Sequence, residues 1–142
     1  AVASITQDGI PVCGHLGLMP QSIHKLGGYR VQAKTEAEAN KLKEDAILLQ
    51  VSGADCLVLE CVPAKVAADI SSLLDIPVIG IGAGVGCDGQ VLVVYDILGL
   101  SEQKFKFSKN FLSGRDSISD AIKAYVAAVK NNSFPSLSHS YE

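Results

Sequence analysis

The chain has 142 residues, which suffices for one domain with a hydrophobic core and is too few for two. Hydrophobic residues make up 48% of it and charged residues 19%, which excludes an intrinsically disordered protein. The net charge of −3 gives no electrostatic basis for binding nucleic acid or an anionic membrane, so we expect small molecules or protein subunits as partners.

Three short apolar segments predict strands. Residues 1–9 are typical of a helix end that leads into a strand, so the chain opens as if in the middle of a domain. The strands are predicted within residues 10–17, Cys56–Glu60 and residues 76–84, and the first and third share the sequence Ile-Pro-Val followed by glycines. Nearly continuous apolar runs indicate a parallel sheet that is covered on both faces.

The intervening segments have helical periodicity. Helices are predicted over residues 35–51, 64–74 and 117–130, and Thr35 with Glu38 forms a capping box at the start of the first. Alternating strands and helices imply right-handed crossovers. The apolar residues expected to face the core are Ala39, Leu42, Ala46, Ile47, Leu49, Val66, Ala67, Ile70, Leu73, Leu74, Ile118, Ala121, Ile122, Tyr125 and Val129.

Residues 88–99 fit either a strand or a helix. Their β-branched content favours a strand, but only about five residues separate them from the preceding strand, and a parallel crossover needs roughly a dozen. We therefore favour a buried helix with Asp88 as N-cap and Gly99 as the C′ residue. Residues 105–107 are then predicted to form a short final strand, and residues 131–142 a C-terminal arm that packs in extended form or frays.

The four cysteines, Cys13, Cys56, Cys61 and Cys87, form no C-x-x-C pair. Three of them lie in or beside apolar runs, so we expect buried free thiols in a reducing compartment rather than a zinc site or a disulfide framework. The longest apolar runs are only of strand length, which favours a cytoplasmic protein.

Two polar residues stand at strand ends, where α/β folds bind ligands. Glu60 closes an apolar run, and its apolar surroundings would raise its pKa, as a general base requires. The structural alternative is a carboxylate paired with lysine or arginine. His15 is flanked by Gly14 and Gly17, which allow close approach of a ligand, and it could donate a hydrogen bond to a carbonyl or carboxylate. Its structural alternative is a histidine that caps a strand.

Two further features are weaker candidates. Gly80, Gly82 and Gly84 could cradle a phosphate, but the spacing is not G-x-G-x-x-G and close packing explains them equally well. The polar, glycine-containing loop after the first strand is typical of a lid, with Ser22 and Arg30 as candidate substrate contacts. No cluster has metal-ligand spacing, so no metal ligand is predicted in this chain.

Residues 9–22, 26–32, 58–63, 76–84 and 87–93 match one known family in the right order along nearly the whole chain, and residues 134–135 and His139 are similar to the end of that family's sequences. Together these segments resemble the ketopantoate hydroxymethyltransferase family. An eight-stranded barrel takes roughly 250 residues, so three or four βα units amount to a small open sheet or half a barrel. The opening of the chain, which is typical of the middle of a domain, favours the half-barrel.

The resemblance implies a (β/α)8 barrel that assembles into oligomers. It implies transfer of a hydroxymethyl group from 5,10-methylenetetrahydrofolate to α-ketoisovalerate in pantothenate biosynthesis, with Mg²⁺ polarising the keto acid. The glutamate of the family's V-L-E-C-V-P motif maps onto Glu60 as general base. The histidine of its G-H-x-G-L motif maps onto His15 as a substrate-binding residue.

The departures from the family concern its metal site. The family's metal-binding acids and a substrate-binding lysine belong to its first four strands, and those motifs are absent here. The chain is therefore predicted to be a single partial domain over residues 1–142, similar to strands five to eight, with the Mg²⁺ ligands in an N-terminal half that could complement it. We expect negligible activity of the chain alone. The alternatives are a non-catalytic, self-associating half-barrel and a phosphate-binding α/β protein that uses Gly80–Gly84.

Overall fold

Four parallel strands form the centre of the fold in the computed structural model, which describes residues 1–22, 28 and 30–142. Their order in the sheet is β1-β2-β3-β4, the same as their order in the sequence. The three main strands expected from the sequence are confirmed, and a two-residue strand that was not expected adds to them. The strands are β1 (Cys13–Gly17), β2 (Cys56–Glu60), β3 (Val78–Ile81) and β4 (Gly89–Gln90).

The capping box predicted for the helix over residues 35–51 is present. The Thr35 hydroxyl accepts the Glu38 amide at 3.2 Å, and the Glu38 carboxylate accepts the Thr35 amide at 3.1 Å. No helix among the described residues is both long and apolar enough to cross a membrane. The helices are α1 (Val2–Gln7), α2 (Glu36–Val51), α3 (Ala64–Leu73), α4 (Val94–Leu98) and α5 (Ile118–Lys130), with 3₁₀ turns at Pro20–Ser22 and Leu137–His139.

Each face of the sheet has its own core. Helices α2 and α3 cover one face, where Leu57 and Leu59 of β2 are fully buried. Side chains alternate along a strand, so Val58 points to the other face. There it packs with residues of α4, α5, the loop between these helices and the C-terminal arm, which include Ile97, Phe107, Phe111, Ala121 and Phe134. Glu60 lies two residues after Val58, and His15 lies opposite Val58 in the register of β1 and β2. Both side chains therefore point to this second face.

The predicted core faces of the helices are partly wrong. Ala46, Ala67, Ile70 and Ala121 are fully buried, as expected. Each helix nevertheless buries a narrower stripe than its apolar residues would allow, because it contacts the rest of the described chain along one side only. The residues predicted to be buried that are instead at least 40% exposed are Ile47, Leu73, Ile118 and Ile122.

Residues 88–99 contain both a strand and a helix, which corrects the prediction of one helix. Gly89–Gln90 pairs with β3, and only Val94–Leu98 is helical, ending at Gly99 with φ of 69° as predicted. Asp88 does not cap that helix. Its carboxylate accepts the Val78 amide at 2.8 Å and its own amide donates to the Val78 carbonyl at 2.9 Å, which fixes the start of the pairing. A short loop suffices here because the paired segment is only two residues long.

The predicted final strand is absent from the described chain, and the C-terminal arm packs against the body. The rings of Phe105 and Phe107 stack with centroids 5.1 Å apart, so this segment supplies side chains to the core and adds no strand. In the arm, Phe134 is buried and the Tyr141 carbonyl accepts the Ala64 amide at 2.9 Å.

The four thiols are free and differ in exposure. Cys61 is buried, which raises its pKa to about 12, and partial burial raises the pKa of Cys87 to about 11. Cys56 is half-buried. Cys13 is exposed, which contradicts the expectation of buried thiols, because it opens an edge strand whose first residue no described element covers.

Candidate active site

Strands β1 and β2 bring His15 and Glu60 into contact. In their parallel register Gly17 lies opposite Glu60 and His15 lies opposite Val58, so the two polar side chains share a face. His15 Nε2 is 3.1 Å from Glu60 Oε2. The Glu60 side chain is 12% exposed and that of His15 31%, so the pair is accessible from one side.

Burial dominates the electrostatics of Glu60. It raises the pKa of the carboxyl group, and the charge and hydrogen bond of His15 oppose that rise without cancelling it. Within the described part of the chain, no lysine or arginine forms an ion pair with Glu60. The structural alternative, a carboxylate paired with lysine or arginine, is not seen among the described residues, where Glu60 contacts His15 instead. A carboxylate with a raised pKa is suited to accepting a proton near neutral pH.

The backbone around Glu60 is fixed on both sides. Its carbonyl accepts the Leu18 amide at 2.8 Å, and the next amide, of Cys61, donates to the Ile81 carbonyl at 2.9 Å. Gly17 has φ of +88°, and a side chain there would overlap the Glu60 carbonyl oxygen. Cys61 has φ of 50°, unusual for a residue with a side chain. The sequence did not predict this bend after β2, because no local pattern indicates that a cysteine adopts the left-handed backbone conformation.

The glycines proposed to cradle a phosphate are explained by packing. A Cβ on Gly82 would lie 2.8 Å from the Phe107 ring, and one on Gly84 would overlap Ala64. Protein atoms therefore occupy the space that the missing side chains leave.

Among the loop candidates, Arg30 is exposed, with its carbonyl accepting the Gln32 side-chain amide at 2.8 Å. The Ser22 side chain and most of the predicted lid, residues 23–27 and 29, lie outside the described residues.

The described residues do not by themselves fit a metal centre. Across 1–22, 28 and 30–142, no group of three or more histidine, cysteine, aspartate or glutamate side chains is arranged to bind an ion. Glu60 and His15 form a pair without a third ligand. We therefore assign no step of the chemistry to a metal held by these residues.

A half-buried carboxylate with a raised pKa at the carboxyl end of a parallel strand is typical of α/β enzymes. Comparison with known proteins agrees with this class. Residues 1–137 match the sequence model of the ketopantoate hydroxymethyltransferase family. The chain belongs to that family.

Relatives show how much of the family's sequence is present. The chain is 57% identical to the 3-methyl-2-oxobutanoate hydroxymethyltransferase of Nitrosococcus oceani, over 99% of this chain and 53% of that protein. It is 51% identical to the Halorhodospira halophila protein of the same name, over 99% of this chain and 51% of that protein. The Methylobacillus flagellatus protein of that name is 56% identical, over 99% and 54%. The chain thus spans about half the length of the curated relatives it matches.

Proposed function

We propose that this chain supplies the general base, Glu60, of a 3-methyl-2-oxobutanoate hydroxymethyltransferase. The reaction moves a hydroxymethyl group from 5,10-methylenetetrahydrofolate to 3-methyl-2-oxobutanoate, which is α-ketoisovalerate, in pantothenate biosynthesis. The observation that carries the proposal is the 3.1 Å contact between His15 Nε2 and Glu60 Oε2 on one face of the sheet. The family membership of the chain and the names of its relatives supply the reaction.

Glu60 removes the proton from C3 of the keto acid, the carbon next to the carbonyl. The C–H electron pair becomes the enolate. Water hydrolyses both C–N bonds of the folate's methylene carbon, which releases formaldehyde and tetrahydrofolate, and the nucleophilic C3 then adds to the formaldehyde carbon while its oxygen takes up a proton. Water consumed in the overall reaction supplies the hydroxyl oxygen. Because burial raises the pKa of Glu60, the protonated carboxyl is stabilised after the transfer, which lowers the barrier to taking up the proton.

His15 positions this base and contacts the substrate. With a proton on Nε2, it donates to Glu60 Oε2 and leaves Oε1 to take the C3 proton. When Glu60 becomes neutral, its hydrogen bond with His15 weakens, and the imidazole can donate to the substrate carboxylate or carbonyl instead. The accessible side of the His15 ring supports this second role.

In our proposal, the residues that bind the family's Mg²⁺ lie outside this chain. Among the described residues, no group of three or more histidine, cysteine, aspartate or glutamate side chains is arranged to bind an ion. A bound Mg²⁺ would polarise the keto group and so acidify C3. The chain alone holds the base without that assistance, and we expect it to have negligible turnover.

A fusion tests the proposal. The chain is joined to the part of the Nitrosococcus oceani relative that precedes the matched region, and ketopantoate formation is measured with MgCl₂ present. We expect turnover by the fusion, none by the isolated chain, and a loss of roughly 10²–10⁴-fold for Glu60→Gln in the fusion. Glu44→Gln, on the exposed side of α2, is the matched control. Turnover by the isolated chain, or a Glu60→Gln fusion as active as the control, would contradict the proposal.

One observation favours a second candidate, a self-associating half-barrel. Ile118, Ile122 and Val126 of α5 are 55%, 41% and 41% exposed and recur every four residues, so they form an apolar stripe. Analytical ultracentrifugation of the chain distinguishes the two candidates. Self-association that Ile122→Lys abolishes would support this one, and a monomer at all concentrations would exclude it.

A further inference from the structure

Two thiols at the start of neighbouring strands lie side by side. Cys13 opens β1 and Cys56 opens β2, and the register places them directly opposite each other. Neighbouring strands are about 4.8 Å apart, which is within the Cα–Cα range of about 4.4–6.8 Å found across disulfides. Both side chains point to the face that carries His15 and Glu60, at the opposite end of the strands.

The two sulfur atoms interact, and solvent reaches one of them. A hydrogen bond with Cys56 is among the causes that raise the pKa of Cys13, after partial burial, to about 11. Cys13 is exposed and Cys56 is half-buried. A soluble oxidant therefore meets Cys13 first, and Cys56 is placed to react with whatever forms there. The other two thiols lack such a partner in the sheet register, since Cys61 and Cys87 lie outside the strands.

We propose that Cys13 and Cys56 form a redox-active dithiol, which a small-molecule disulfide of the glutathione type converts reversibly into an intramolecular disulfide. The proposal is independent of the proposed transferase activity. It also departs from the expectation of buried free thiols without a disulfide, because it depends on the pairing of two strands that are far apart in the sequence.

The exchange proceeds in two displacements. The Cys13 thiolate attacks one sulfur of the small disulfide, which breaks its S–S bond and releases the first small thiolate. The Cys56 thiolate then attacks the Cys13 sulfur of the mixed disulfide and releases the second. Two electrons pass from the two cysteines to the small disulfide, and the two protons end on the released thiols. At neutral pH little of Cys13 is thiolate, so the reaction takes minutes to hours.

The disulfide would fix the register that places His15 beside Glu60. It closes a loop of roughly 40 residues, which restricts the unfolded chain. We expect oxidation to raise the Tm of the chain by about 5–10 °C, and reduction by dithiothreitol to reverse that rise.

The experiment uses the full 142-residue chain and oxidised glutathione. After incubation at pH 8, intact mass, the number of alkylatable thiols in denaturant and the peptide map are measured. We expect a monomer that has lost two hydrogens and two alkylatable thiols, with Cys13 linked to Cys56 in the map. Cys56→Ser should instead retain a glutathione adduct on Cys13, and the matched control Cys87→Ser should behave as wild type.

Three results would overturn the proposal. The first is a stable glutathione adduct on Cys13 as the main product in the wild type. The second is disulfide formation only between chains, and the third is full retention of both thiols. The peptide map of the wild type decides among these outcomes without any variant, so the test holds even if a substitution impairs folding.

Discussion

Replacing Gly17 by alanine probes the close approach of β1 to β2 at the candidate site. Gly17 has φ of +88°, and its missing side chain leaves room for the carbonyl oxygen of Glu60. That carbonyl accepts the Leu18 amide at 2.8 Å, so the two strands are in contact where the site is built. An added methyl group would force β1 away from β2 and separate His15 from Glu60.

The cost follows from three effects. An alanine in the left-handed region costs about 1 kcal/mol. Loss of the Leu18–Glu60 hydrogen bond adds about 1 kcal/mol. Overpacking against the Glu60 carbonyl and the Val62 side chain, which lies 3.0 Å from the added Cβ, adds about 1–3 kcal/mol. We therefore expect Gly17→Ala to lower the free energy of unfolding by about 3–5 kcal/mol.

Gly114→Ala is the matched control. Gly114 has φ of +72°, yet no heavy atom lies within 4 Å of the Cβ that the substitution would add. It should therefore cost only the backbone term of about 1 kcal/mol. Urea unfolding followed by far-UV circular dichroism gives both values. If Gly17→Ala costs no more than Gly114→Ala, the contact between Gly17 and the Glu60 carbonyl is not as described.

Three other predictions, made with four substitutions, concern the core and the electrostatics. Glu60→Gln should be more stable than the wild type at pH 8, and the difference in free energy of unfolding should close towards pH 4. Because folding raises the pKa of the Glu60 carboxyl, the stability of the wild type falls as pH rises from the unfolded-state pKa to the folded-state pKa. A difference that stays constant across pH would refute this. Ile70→Ala should lower the free energy of unfolding by about 3 kcal/mol because Ile70 is fully buried, whereas Leu73→Ala, at a residue 50% exposed, should lower it by under about 1 kcal/mol. Equal losses in urea unfolding would contradict the assignment of the buried face of α3. Tyr125→Phe should cost about 1 kcal/mol in the same assay through loss of the 2.9 Å hydrogen bond to the Gln90 carbonyl, and no loss would show that this bond does not stabilise the fold.

Local signals in the sequence predicted much of the fold. The capping box of α2 depends on residues three apart, and the left-handed Gly99 at the end of α4 depends on glycine itself, so both could be read without tertiary structure. The three main strands followed from apolar runs of suitable length. The position of Glu60 at the end of one run was enough to single it out as a candidate base.

Features that depend on register could not be predicted. The contact between His15 and Glu60 and the opposition of Cys13 and Cys56 both arise from how β1 pairs with β2, and no local pattern encodes that pairing. The role of Asp88 is of the same kind, since its carboxylate binds an amide of β3 and caps no helix. The exposed apolar residues of α5 were misassigned because periodicity marks an apolar stripe without showing which part of it is covered.

The central claim is that Glu60 is the base that removes the C3 proton, and hydrogen exchange tests it most directly. The fusion with the Nitrosococcus oceani segment is incubated with 3-methyl-2-oxobutanoate and MgCl₂ in D₂O without the folate, and proton NMR follows loss of the C3 signal. We predict that Glu60→Gln slows the exchange by roughly 10²–10⁴-fold while Glu44→Gln leaves it unchanged. Exchange at the wild-type rate in a folded Glu60→Gln fusion would contradict the account.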